Sequence, residues 1–285
     1  RNPFWPGTDT IPVPTLDAVT GPMLEPLAAL DSYEAGLLDV VGVPGQQLDR
    51  VLADPILGAE YTTGEDTCTF YLGVNTTKAP TDDVRIRRAL SIAIDRQAIA
   101  DAIIRPSSPA FFFARPSLAA AATLDEYGDI AVGSDMAEAQ GLIDEYIAEN
   151  GDVPTITFMH SAGSSSGPLL AAATQEMWSD AFGDVEVEVQ TQEWAVFLET
   201  TDIPETAPNL WYIGWCLDYP DANNFLFDVW HSSVIDNGSG FQNDEFDALV
   251  EEARQLTDLE EREAFYARAE EILTNEVVAV IPLVY

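Results

Sequence analysis

Lysine is almost absent from this chain. Of 285 residues, 49 are Asp or Glu and 12 are Lys or Arg, and Lys78 is the sole lysine, so the formal net charge is −37. A field of that sign repels nucleic acid and anionic membranes, so no nucleic-acid partner is expected, and it favours a protein that stays dissolved as a monomer. Carboxylates in such excess repel one another unless salt screens them, which suits a high-salt or surface-exposed habitat and equally an acidic secreted protein. Histidine and cysteine are nearly as scarce. His160 and His231 do not cluster in sequence with Cys68 and Cys216, and two cysteines without Cys-x-x-Cys spacing do not make a zinc site. Taken alone, the pair reads as two buried thiols or as one disulfide. No run approaches the eighteen or so apolar residues of a membrane helix. The opening Arg1-Asn-Pro-Phe-Trp-Pro-Gly7 has a basic start with no apolar run behind it, so no signal segment is expected and the sequence reads as if it began inside a longer protein.

What is present is an ordinary apolar share, 47%, enough to bury the core of one large or two smaller domains. Residues 1–67 are broken by Pro3, Pro6, Pro12, Pro14, Pro22, Pro26, Pro44 and Pro55, with one helix expected from Met23 to Glu34. Cys68 to Asn75 then alternates Cys68, Phe70, Leu72 and Val74 against polar or small neighbours, the period of a strand, and marks the entry to a second domain. Asp82 or Asp83 caps the next helix, whose Val84, Ala89, Leu90 and Ala93 form one stripe and whose Arg85, Arg87 and Arg88 are expected in solvent as ion-pairing surface. Asp95 opens another helix, running to Ile104. Phe111, Phe112 and Phe113 sit in a Pro-bounded connection and are expected to pack inward.

Helices are expected at Ser134 to Glu149, stopped by Gly151, and at Leu169 to Phe182. Strands are expected at Pro154 to His160 and at Val185 to Gln190. Between them Ser161 to Gly167 is rich in Ser and Gly but lacks the Gly-Lys-Ser/Thr ending of a phosphate cradle, so it reads as a mobile rim. A short helix covers Gln192 to Leu198. Further helices are capped by Asn243 and by Thr257 or Asp258, and an apolar strand closes the chain from Val277 to Tyr285. Alternating helices and strands from Cys68 onward indicate an α/β lobe with a mixed sheet.

Asn209 to Trp230 concentrates the chemistry. The apolar run Leu210 to Trp215 is too short for a helix and reads as a buried strand ended by Tyr219-Pro220, which leaves Asp218 just past its end. Strand ends where loops converge are where binding sites gather, and this one carries a carboxylate, two indoles and a thiol. A hydrolase with Cys216 as nucleophile and His231 as base is one remote reading. A calcium loop from Asp218, Asp221, Asn223 and Asn224 is another, although it lacks the glycine turn and distal glutamate of an EF-hand.

The run Gly214-Trp-Cys-Leu-Asp-Tyr-Pro-Asp-Ala-Asn-Asn-Phe-Leu226 resembles the oligopeptide-binding members of the extracellular solute-binding proteins, family 5, which serve peptide and nickel ABC transporters. Asn2-Pro-x-Trp5, Tyr71-Leu-Gly-Val-Asn75, Asp82-Asp-Val-Arg-Ile-Arg-Arg88, Gln192-Glu-Trp194 and Asn243-Asp-Glu-Phe-Asp247 extend the resemblance in the family's order. It implies a periplasmic-binding-protein-like fold of class II, cluster C type, in which two hinged lobes close over a ligand. Residues 1–67 would be part of the first lobe and 68–285 the second, which carries half of the cleft. The implied function is capture of extracellular peptides for an ABC importer, with a membrane permease as partner, no cofactor and no catalysis, in the periplasm or at the cell surface. Nickel complexes, sugars or another small solute on the same scaffold are the alternative, since fold does not fix ligand.

The resemblance also assigns residues. Asp218 matches the aspartate that pairs with a peptide's α-ammonium, Gly214 to Cys216 match the segment whose backbone bonds the peptide as an added strand, and Trp194 and Trp215 match pocket-lining aromatics. Tyr212 stands where the best-known members carry an arginine that helps hold the peptide's far end. Cys68 and Cys216 fall where these binders place a cystine. If so, their Cα atoms should lie about 4.4 to 6.8 Å apart.

Overall fold

A computed structural model describes residues 7–10, 12–13, 15–64, 67–133, 135–183, 185–233 and 238–285. The signature Asn2-Pro-x-Trp5 and the expected helix start at Ser134 therefore lie outside the described residues. The chain forms two compact units, Arg1–Pro44 and Gly45–Tyr285. In the first, helix α1 spans Pro26–Glu34. It starts three residues later than its apolar pattern suggests, because the ring of Pro26 holds Glu25 in an extended conformation (φ −63°, ψ 147°).

The second unit opens with two short helices, α2 (Leu48–Ala53) and α3 (Leu57–Glu60). Although the composition shift comes at Cys68, this segment is already tied to the larger unit: Arg105 grips Asp49 with two bonds of 2.8 and 3.0 Å. There follow β1 (Cys68–Val74), α4 (Val84–Ile92), α5 (Arg96–Ala102), α6 (Leu124–Tyr127), α7 (Met136–Asn150) and β2 (Ile156–Ser161). Next come α8 (Gly167–Phe182), β3 (Val187–Gln192), α9 (Trp194–Thr201), β4 (Leu210–Cys216), α10 (Ala222–Trp230), α11 (Asp244–Ala253), α12 (Leu259–Glu271) and β5 (Val280–Val284). Helix starts obey local chemistry. Asp83, Asp95, Asp135, Asp221, Asn243 and Asp258 each accept a backbone N–H from the first turn that follows.

The strands form one sheet in the order β3-β2-β4-β1-β5, with β2 parallel to β3 and β4 and with β1 antiparallel to β4 and β5. The mixed α/β sheet expected from the sequence is therefore observed. Helices cover both faces, which is why β4 reads as a continuous apolar run rather than an alternating one. One face sends Leu72, Val74, Leu210 and Tyr212 into a core with Ile86, Leu90, Ile143 and Trp178. The opposite face sends Tyr71 and Val280 against Phe225, Trp230, Phe246 and Tyr266, with Phe113 among them. Trp211 packs with Met159 and Phe197. Its indole lies across Gly73, where any Cβ would overlap the ring.

Two expectations are corrected. Arg87 is not solvated with its neighbours; it is 5% exposed. Its guanidinium donates to the carbonyls of Val277 (2.7 Å), Thr81 (2.8 Å) and Asp82 (3.0 Å), of which the Thr81 bond is fully buried. Burial pushes its pKa down to about 10, so it is still cationic at neutral pH. Arg85 and Arg88 do pair at the surface, with Glu149 (2.8 Å) and Glu138 (2.7 Å). The last strand is also shorter than its apolar run. The helical path continues beyond α12 as a wider turn over Ile272–Glu276, Val278 takes φ 53°, and pairing with β1 begins only at Val280.

The cysteines are bonded, with Cα atoms 3.9 Å apart, closer than the expected range. They face each other directly in the β1–β4 ladder. Leu217 N–H donates to Thr67 C=O and Asn75 N–H to Asn209 C=O, which makes residues 67/217 and 75/209 hydrogen-bonded pairs. Alternation then puts Cys68/Cys216 at a non-hydrogen-bonded position, where strands approach most closely, at about 4.5 Å between Cα atoms.

Two outcomes follow from burial and charge. Glu270 is fully buried, accepts from Phe113 N (2.8 Å) and Ala114 N (2.6 Å), and is pushed by burial to a pKa of about 7. A carboxyl raised in the folded state keeps its proton there after the unfolded chain has lost it, so its contribution is complete below about pH 4.5 and is lost as pH rises through 7. The stability of the wild type relative to Glu270→Gln, from urea midpoints, should fall by roughly 3 kcal/mol between these pH values; a flat difference would show an ordinary carboxyl. Screening of 49 acidic side chains should also raise the thermal midpoint as KCl increases from about 0.1 to about 2 M.

Candidate functional site

Because β2, β3 and β4 run parallel, their carboxyl ends share one edge of the sheet, the side on which open α/β sheets form their binding crevices. Ser161, Gln192 and Cys216 end the three strands there, and Asp218 lies two residues beyond. The loop from Ser161 to Gly167 borders the same edge. It is a compact turn in which Ser161 Oγ accepts from Gly163 N–H and Ser164 Oγ from Gly167 N–H.

The central feature is a strand paired on one side only. In the β1–β4 alternation, residues 209, 211, 213, 215 and 217 direct their N–H and C=O groups toward β1, and residues 210, 212, 214 and 216 direct theirs toward β2. Yet β2 pairs with β4 only at Phe158/Leu210 and Met159/Trp211, then continues to Ser161 against β3. The Met159/Trp211 bridge takes up the Tyr212 N–H, and among the described residues no strand pairs with the Tyr212 C=O or with the β2-facing side of Gly214 and Cys216. A row of backbone donors and acceptors of this kind is a template for an added strand.

The side chains around this edge divide into two sets. Asp218, exposed, and Trp215, half-buried, are joined through Asn224, which is fully buried in the first turns of α10. Asn224 Oδ1 accepts from Asp218 N–H (2.9 Å) and from Trp215 Nε1–H (3.3 Å), and its Nδ2 donates to Asp218 Oδ2 (3.4 Å) and Asp228 Oδ2 (3.0 Å). Trp194 stands apart at the start of α9, 53% exposed and stacked on Phe197 at 5.6 Å. Tyr212 turns its side chain into the core. It is 6% exposed, its hydroxyl shares a 3.1 Å bond with Ser166 Oγ, and burial pushes its pKa up to about 12. Only its backbone is on the open edge. At Gly214 a Cβ would come within 2.9 Å of the Phe70 ring, so no side chain fits there. Cys216, exposed, is held by Cys68.

Two chemical alternatives lose their residues. The Cys216 sulfur is in a disulfide and cannot be a nucleophile, and His231 bonds instead to Ser233 Oγ (2.7 Å) and Glu251 (3.2 Å) at the far end of α10. In the proposed calcium loop, Asp221 caps α10 through Asn223 N–H (2.9 Å) and pairs with Arg262 (2.6 Å), while Asn224 is turned inward. Sequence reasoning had no role for Asn224 as an organiser of the site. Its place in the Asn-Phe-Leu run, six residues after Asp218, was the available signal.

The family description "Bacterial extracellular solute-binding proteins, family 5 Middle" matches residues 1–237. The periplasmic oligopeptide-binding protein OppA of Escherichia coli (strain K12) is 28% identical over 295 aligned residues, covering 100% of this chain and 51% of that protein. The probable deoxycholate-binding periplasmic protein YgiS of the same organism is 28% identical, covering 89% of this chain and 46% of that protein. The structure of the E. coli murein tripeptide binding protein MppA superposes with a TM-score of 0.81 at 26% identity, covering 90% of this chain and 50% of that one. The chain spans about half the length of these relatives, which are binding proteins by name. With a match across most of its length and the same fold, the chain belongs to family 5 of the bacterial extracellular solute-binding proteins.

Proposed function

We propose that this chain supplies one lobe of a peptide receptor for an ABC importer, working outside the cytoplasmic membrane with a membrane permease. The observation that carries the reading is the one-sided edge of β4, whose open backbone groups, from the Tyr212 C=O through Gly214 and Cys216, lead to the Asp218 carboxylate. An extended peptide satisfies such an edge with its own N–H and C=O groups, and its α-ammonium then meets a carboxylate placed just past the strand end. Trp215 and Trp194 would line side-chain pockets, and Tyr212 would act through its backbone. The oligopeptide-binding and murein tripeptide-binding names of OppA and MppA support this choice. In this reading residues 68–285 form the second lobe and 1–67 belong to the first.

A second reading has its own support, since a relative named as deoxycholate-binding aligns over most of the chain. A sterol-like or other non-peptide solute has no backbone to pair with β4 and no ammonium for Asp218. The two readings therefore differ in what Asp218 does.

In the longer protein carrying both lobes, Asp218→Asn keeps the shape and removes the charge. Loss of one member of a buried ion pair costs about 3 to 5 kcal/mol, so free peptides should bind two or more orders of magnitude more weakly by calorimetry. N-acetylated peptides should bind weakly to the wild type and lose little more from the substitution. Equal affinity for free and acetylated peptides would favour the non-peptide solute. The 285-residue chain alone should give little heat with peptide, because one lobe lacks the burial that closure supplies; micromolar binding by it would refute the two-lobe assignment.

A further inference from the structure

Asn224 has all four of its hydrogen-bonding positions filled, and three of the four bonds reach Asp218 or Trp215. The other described asparagines with almost no exposed surface are used differently. Asn75 donates to the carbonyls of Pro204 and Ala207, and Asn209 to those of Lys78 and Ala79, so both tie loops together at the other end of the sheet. The orientation of the Asn224 amide is dictated by its surroundings: two N–H donors lie on one side and two carboxylates on the other, so only one placement of oxygen and nitrogen satisfies both. Behind it Asp228 Oδ2 is held by the Tyr219 hydroxyl at 2.7 Å, and that hydroxyl accepts from Asn223 Nδ2 at 2.6 Å.

We propose that Asn224 is a positioning residue of the ligand site, fixing the Asp218 carboxylate and the Trp215 indole as one preset unit, with Asp228 and Tyr219 as its anchor. The proposal rests on the reading of Asp218 as partner of the ligand's ammonium. An exposed aspartate left to itself samples several rotamers, and a ligand that selects one must overcome that freedom; a carboxylate already held from behind avoids part of the cost. The same amide fixes the Trp215 ring relative to the charge, so one buried side chain sets the spacing between an ammonium site and an aromatic wall.

Two substitutions separate the parts of this role. Asn224→Leu keeps the approximate volume and removes every bond. Asn224→Asp keeps the oxygen that accepts from Asp218 N–H and Trp215 Nε1–H but, once ionised, loses the donor and sets a third carboxylate against Asp218 and Asp228. Amide exchange and indole resonances measured by NMR on the 285-residue chain read the effect without any ligand, with Trp215 assigned through Trp215→Phe. Asn224→Leu should speed exchange of the Asp218 amide about tenfold or more and move the Trp215 indole resonance, whereas Asn224→Asp should stay closer to wild type at acidic pH, where its protonated carboxyl can still donate, than at neutral pH, where three carboxylates repel one another. Should the leucine variant fail to fold, Asn224→Ala is read in the same way. An unchanged Asp218 amide and Trp215 indole in a folded Leu or Ala variant would overturn the proposal.

Peptide titration of the longer protein gives the second readout. Asn224→Leu should weaken peptide binding about tenfold in the wild-type background and clearly less, about threefold, when Asp218→Asn is already present, because only the Trp215 ring is then left to position. Equal losses in both backgrounds would mean general destabilisation and overturn the proposal. If the wild type binds no peptide, the peptide reading fails by itself, and the exchange measurement still decides whether Asn224 organises Asp218 and Trp215.

Discussion

The pairing of β1 against β4 determines which backbone groups of Leu210–Cys216 are satisfied inside the fold and which are left over. Residues 211, 213 and 215 bond to β1, and residues 212, 214 and 216 face a neighbour that withdraws after Met159. A one-residue slip would exchange these sets. It would also turn Tyr212 out of one core and Trp211 out of the other, so packing on both faces enforces the register that exposes the edge. Gly73 and Gly214 belong to the same constraint, since the Trp211 indole and the Phe70 ring occupy the space where their side chains would be.

The charge distribution has its own logic. With 12 cationic side chains against 49 acidic ones, each arginine would be expected to sit among carboxylates at the surface. Arg87 and Arg96 do not. Both are almost fully buried and donate to backbone carbonyls, Arg96 to those of Pro282 and Ser91, which fastens α4 and α5 to the C-terminal segment. Burial lowers both to about 10, leaving them protonated at neutral pH. Using two cations as internal fasteners leaves still fewer to offset the carboxylates outside, which adds to the sensitivity to salt.

Much of this was legible in advance because it is local. Period-two alternation marked β1, aspartate and asparagine caps marked helix starts, and the turn pair Tyr219-Pro220 placed Asp218 beyond a strand end. The readings that failed depend on partners distant in sequence. Arg87 and Arg88 are adjacent and chemically identical, and the return of the C-terminal segment, with the Val277 carbonyl, helps to bury one while the other stays at the surface. The apolar run from Val277 likewise promised a longer strand than β1 can pair. Asn224 was legible as a member of the Gly214–Leu226 run and as a candidate calcium ligand but not as an organiser, because nothing local indicates that its amide meets Trp215 across nine residues and Asp228 one turn later.

The disulfide has a clear position in this scheme. A strand paired on both sides is held by two ladders, but among the described residues β4 beyond Trp211 pairs as a ladder with β1 alone, and this half carries the open edge. Left to one ladder, its end would fray first and the spacing of its free groups would blur. The Cys68–Cys216 bond closes the ladder at that end, and the next pair, Leu217 N–H to Thr67 C=O at 3.0 Å, continues the pairing past it. Just beyond, Asn224 takes the Asp218 N–H, so the chain passes from ladder to crosslink to side-chain anchor without an unheld residue pair between. An edge that must stay unpaired to receive a ligand is in this way kept straight by bonds placed on its other side and at its end.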